Sequence, residues 1–154
     1  MRSAGSTNLK LASLGLSVLL GTIAWAVAYN AVAAPAAPAN IKAFMIATVG
    51  PSTQPIWDKS YADKLTDQDW DDVRKAATDL TTAVSTVSAG GPVPEEQGRA
   101  KTPVWEDWTK KMSGAANAAK AAADKKDQMG LAMAGDDLVD ICSGCHMAFD
   151  PTAK

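Results

Sequence analysis

The stretch Cys142-Ser143-Gly144-Cys145-His146 decides how the rest of the chain is read. It holds both cysteines and the only histidine of the 154 residues. On an α-helix, residues three and four apart share a face, so Cys142, Cys145 and His146 would point the same way. Few chemistries use two thiols and one imidazole in that arrangement. A structural zinc site needs four ligands, and the chain has no further Cys or His. A thioredoxin-like thiol pair expects a strand before it, in a βαβ setting. No stretch here alternates with period two. C-x-x-C-H reads instead as an attachment site for one covalent haem c, with thioether bonds to Cys142 and Cys145. His146 is then the proximal iron ligand.

Working outward, the motif ends a helical pattern that begins near Asp127, carries Leu131, Ala134, Leu138, Ile141, Cys142 and Cys145 on one stripe, and closes at Asp150-Pro151. Three more amphipathic stretches precede it. The first starts after Asn40, a plausible N-cap, with Ile41, Phe44, Met45 and Thr48 or Val49 on one face. Gly50-Pro51 is expected to interrupt it, and Pro55-Ile56-Trp57 to restart it towards Leu65. The second opens at Thr66 or Asp67, runs through Trp70, Val73, Ala77, Leu80, Val84 and Val87, and ends at Gly90-Gly91-Pro92. A loop is expected from Gly90 to about Lys101. The third begins Thr102-Pro103, with Trp105, Trp108, Met112, Ala115, Ala116 and Ala119 inward. Four such helices with short connections predict an all-α chain, an antiparallel four-helix bundle with its cofactor on the C-terminal helix.

Residues 1–34 read as a targeting segment. Arg2 and Lys10 precede 24 uncharged residues from Leu11 to Ala34. A signal peptide and an uncleaved hydrophobic anchor helix both fit, the first through Ala31-Val32-Ala33 or Ala37-Pro38-Ala39, the second through length. Either exports the remainder, which points to the periplasmic side of a bacterial inner membrane. Residues 35–40 make a Pro/Ala linker, and 41–154 the cytochrome domain. The net charge of −2 argues against nucleic acid, which calls for a basic face.

The chain resembles the class II c-type cytochromes, the cytochrome c-prime group and its low-spin, Met-ligated relatives. The resemblance covers about residues 40–150 and rests on Cys142, Cys145 and His146 near the C-terminus, Phe149 three after the His, and the opening Ile41-Lys42-Ala43-Phe44-Met45. It implies a four-helix bundle with a haem pocket touched by Phe44 and Phe149; Trp57, just after the break expected in the first helix, is a further candidate for that pocket. It also implies Met45 as distal iron ligand, or else as a non-ligating side chain over the iron, with Met112 in reserve. One departure stands out: Asp150 occupies a position where the family commonly has a basic residue. A carboxylate there favours ferric haem, so the potential is not transferable.

Two functions follow from the two states of Met45. With Met45 bound, the protein is a mono-haem single-electron carrier serving redox partner proteins. With iron five-coordinate, it is a binder of small gases such as NO or CO. A third reading is a membrane-anchored accessory subunit of a larger electron-transfer complex. Homodimerisation fits the family too. No nucleophile–base pair or phosphate loop suggests an enzyme.

Overall fold

Thr66 shows how closely local chemistry sets the helix boundaries. Its hydroxyl accepts from the Asp69 amide, and the Asp69 carboxylate accepts from the Thr66 amide at 2.8 Å, a reciprocal capping box. The helix it starts, Asp67–Ser88 (here α3), ends where Gly90 and Gly91 take positive φ values of 96° and 138°. The Thr102 side chain accepts from Trp105 N and so caps Pro103–Lys125 (α4), with Pro103 in the first turn. Lys126, in the left-handed region at φ 53°, reverses the chain. Asp127 then accepts from Gly130 N at 3.0 Å at the start of Gln128–Phe149 (α5). These features come from a computed structural model, which describes residues 36–149. The expected N-terminal hydrophobic helix and the Asp150-Pro151 stop lie outside the described residues.

The chain is all-helical, with no strand among the described residues. The first stretch departs from expectation. Gly50-Pro51 does not interrupt it. Helix runs from Ile41–Phe44 (α1) through a π-helical turn, Met45–Val49, into Gly50–Ser60 (α2). Gly50 N–H donates five residues back, to the Met45 carbonyl. A proline ring inside a regular α-helix collides with the carbonyl four residues back. Widening the turn just ahead of Pro51 by one residue moves that carbonyl and keeps the helix going. Helix also stops earlier than expected, at Ser60 rather than Leu65, with Tyr61 as its C-cap. The expected loop after Gly91 contains a 3-10 helix, Pro94–Lys101. Its Glu96 carboxylate accepts from Ile41 N at 2.6 Å and so caps the start of α1.

The ends of the helices tie neighbours together. At the end of α2, Lys59 pairs with Asp69 at the start of α3. Arg74 near the start of α3 meets Asp124 near the end of α4 at 2.7 Å. At the other end, Trp105 Nε1 donates to the Val87 carbonyl at 2.8 Å, joining the start of α4 to the end of α3. Trp105 also meets Phe149, at the end of α5, edge-on with centroids 5.0 Å apart. Each of these neighbours therefore runs opposite to the next. The stripes read from sequence face the interior: Trp70, Val73, Ala77, Leu80, Val84 and Val87 of α3 are all buried, as are Leu131, Ala134, Leu138 and Ile141 of α5. Much of α4's contribution is alanine, at Ala115, Ala116, Ala119, Ala122 and Ala123, which lets the backbones approach closely.

Charged residues also pair across helices. Lys126 meets Asp67 at 2.7 Å, so the acidic start of α3 and the basic end of α4 form one solvated seam. Such exposed pairs contribute little each.

Candidate cofactor-attachment site on the last helix

Heptad rows on α5 show which way the motif faces. Leu131, Leu138 and Cys145 stand seven apart and form one row, all buried, Cys145 at 8 % exposure. Gly135, Cys142 and Phe149 form the next row, also seven apart. At Gly135 that row meets α2: a Cβ there would lie 2.7 Å from Ser60 Cβ. Ser60 Oγ in turn donates to the Leu131 carbonyl at 3.1 Å. The Cys142 row thus meets α2 at its Gly135 end and Trp105 of α4 at its Phe149 end, and His146, one turn beyond Cys142, is exposed beside it.

The opposite flank of the motif is closed by α4. A Cβ on Gly144 would come 2.8 Å from Trp108 Cζ2 and 2.9 Å from Trp108 Cζ3. Glycine between the two cysteines is therefore what lets the Trp108 ring lie on the α5 backbone. Lys111 Nζ stands 4.6 Å from the centroid of that ring on α4. A groove beside it is lined by Trp108, Lys111, Gly114, Ala115, Asp137, Asp140 and Ile141.

The same anchor gives the level of Met45. Met45 is fifteen residues before Ser60, and His146 is fifteen after Leu131. At 1.5 Å per residue each lies about 22 Å from the shared anchor. With α2 ending where α5 begins, both displacements run the same way, so ideal helical rise would bring Met45 and His146 to one level. Close backbone packing of α5 is with α2 and α4, whereas the π-helical turn carrying Met45 packs on α3.

The other sequence-derived residues take the following places. Phe44 and Met45 are half-buried and packed against the core. Trp57 is half-buried, and its Nε1 is buried with no hydrogen-bond partner. Phe149 is engaged by Trp105 on the α4 side. Met112 is buried within α4. Asp150 lies outside the described residues.

Burial pushes the Cys142 thiol up to about 11, with the neighbouring Cys145 adding to it, and burial raises Cys145 as well. Reactive dithiols depend on a lowered thiol pKa and a thiolate at neutral pH. This pair has the reverse electrostatics, which disfavours thiol–disulfide exchange. No group of three or more His, Cys, Asp or Glu side chains able to hold a metal ion exists among the described residues. The residues do fit a haem. It asks the protein for two thiols and one imidazole on a helix face, an apolar setting, and a polar group or two at its edge. Cys142, Cys145 and His146 meet the first demand, the buried row of Leu138 and Cys145 the second. The Trp57 indole N–H is buried without a partner, but it stands three residues from Ser60, far along α2 from the level of His146.

Three features escaped the sequence reading: the contact of Gly135 with Ser60, that of Gly144 with Trp108, and the π-helical turn. A glycine inside an otherwise regular helix, as at 135 and 144, is the signal for the first two. No protein-family model, curated protein or solved structure matches the chain.

Proposed function

We propose that the chain is an antiparallel four-helix-bundle cytochrome of the class II kind, a mono-haem single-electron carrier with His146 and Met45 as axial ligands. Cys142 and Cys145 hold the haem by thioether bonds on the α5 flank that meets α2 at Gly135. When bound, haem supplies reversible one-electron exchange between ferric and ferrous iron. The observation that supports the reading is the Ser60–Leu131 bond, from which Met45 and His146 are each fifteen residues away along their own helices. A thioether opposite an imidazole fills the sixth position and raises the potential. The end-to-end pairing of neighbouring helices supports the bundle, and the raised thiol pKa values count against disulfide exchange.

Residues 1–34 serve as export signal or anchor in this reading, placing the domain at the periplasmic side of the membrane. There it meets redox partner proteins. Among the described residues no helix is long and apolar enough to cross a membrane.

An intact mass and optical spectra of the purified protein test the proposal. One haem per chain and a ferric sulfur-to-iron band in the near infrared are expected, with the band absent in Met45→Ala. A wild-type protein without that band, binding CO rapidly when ferrous, would instead establish the five-coordinate gas binder. A mass without haem would remove both readings.

A further inference from the structure

The π-helical turn sets which side chains of the first helix face inward. In an unbroken α-helix, residues seven and fourteen apart share a row. Met45 would then stand with Ser52 and Lys59. That row faces α3: Lys59 pairs with Asp69, and Ser52 and Lys59 line a groove with Asp72 and Ala76 of α3. Lys42 would stand with Val49 and Ile56, both buried in the core, the latter completely. Ile46 would stand with Thr53 and Ser60, the buried row that reaches Leu131 on α5.

The observed burial is different. Ile46 is 69 % exposed and Lys42 is exposed, while Ile41 and Met45 are half-buried against the core. A π-turn is one residue inserted into an α-helix, and one residue rotates everything before it by about 100°. That rotation puts Ile41 where Lys42 would be and Met45 where Ile46 would be. Met45 thereby leaves the row of Ser52 and Lys59 and joins that of Thr53 and Ser60, the row that reaches α5 at Ser60.

We infer that the extra residue of the Met45–Val49 turn is a positioning device that aims the Met45 thioether across at the His146 side of α5. The inference rests on the ligation reading above. The device works through phase alone: the insertion leaves Met45 at nearly the same height and changes only its direction. It also keeps Lys42 out of the core, so the turn is stabilised by burial as well as by Pro51.

Deletion of exposed Ala47, combined with Pro51→Ala, turns the segment into a regular α-helix and leaves Ile41–Met45 on their present faces. Insertion of one alanine after Ala47 rotates them away. The test uses full-length holoprotein and reads the ferric sulfur-to-iron band, the ring-current shift of the Met methyl in the ferrous NMR spectrum, and the melting temperature. The deletion is expected to keep the band, the shifted methyl and the melting temperature. The insertion is expected to lose all three, and exchanging the residues, Met45→Ile with Ile46→Met, to lose the band and the shift. A deletion variant that loses the band while wild type has it would overturn the inference. If wild type itself lacks the band, ligation falls. The melting temperatures then still decide the phase, and a destabilised deletion with an unaffected insertion would overturn it.

Discussion

Gly135→Ala is the sharpest test of how α2 and α5 meet. The added methyl would sit 2.7 Å from Ser60 Cβ and closer still to Ser60 Oγ. Ser60 is buried, and its Cβ is tied to the α2 backbone, so no rotamer relieves the contact. The helices must part by about 0.7 Å to reach ordinary contact, an overpacking that costs about 1–3 kcal/mol. Parting also stretches the 3.1 Å bond from Ser60 Oγ to the Leu131 carbonyl, worth about 1 kcal/mol. Against this, alanine is favoured over glycine in a helix interior by about 1 kcal/mol. The net expectation is a loss of about 1–3 kcal/mol, and at this chain length a fall in melting temperature of roughly 2–12 °C. Urea unfolding followed by far-ultraviolet circular dichroism measures it. Ser60→Gly in the same chain removes the colliding atoms, so the double variant should recover about 1 kcal/mol or more relative to additivity. A Gly135→Ala protein as stable as wild type, or more so, would refute the close approach at this point. The register that puts Met45 level with His146 would go with it.

Trp105→Phe deletes the indole N–H that bonds the Val87 carbonyl at 2.8 Å while keeping most of the ring volume. A loss of about 1–2 kcal/mol in urea is expected, and unchanged stability would show that the bond ties nothing. Asp69 titrates well below the ordinary carboxylate range because Lys59 pairs with it and Thr66 donates to it from side chain and backbone. A depressed folded-state pKa stabilises above the unfolded value of about 3.9 and loses that contribution as pH falls below it. The urea midpoint should therefore be flat from about pH 5 to 8 and drop below about pH 4. Asp69→Asn should flatten the drop, and greater stability on acidification would contradict the assignment. In apoprotein with free thiols, Cys142, pushed up to about 11, should alkylate negligibly at neutral pH. The denatured chain should react as ordinary cysteine near pH 8.5, and equal native and denatured rates would show that the thiol is not buried.

Much was legible in the linear pattern. The all-α class, the stripes of α3, α4 and α5, and the caps at Asn40, Thr66 and Thr102 each follow from a few neighbouring residues acting locally. The grouping of Cys142, Cys145 and His146 on one face follows from spacing alone, since helix geometry is fixed by the backbone. The expectation of a break at Gly50-Pro51 had a sound local reason but missed the remedy, because widening one turn costs little when it buries Ile41 and Met45. Glu96 capping α1 from 55 residues away could not be read locally at all.

The sequence by itself thus determined that the chain is helical, where most helices begin, and that its one cluster of thiols and imidazole shares a helix face. Only the tertiary structure decided which flank that face addresses, through Ser60 on Gly135 and Trp108 on Gly144. It also decided that Met45, rather than Ile46, packs against the core. The physical reason is that periodicity records spacing along one helix. The phase of that helix across a π-turn, and the closeness of two backbones at a glycine, are settled by what the neighbouring helix presents.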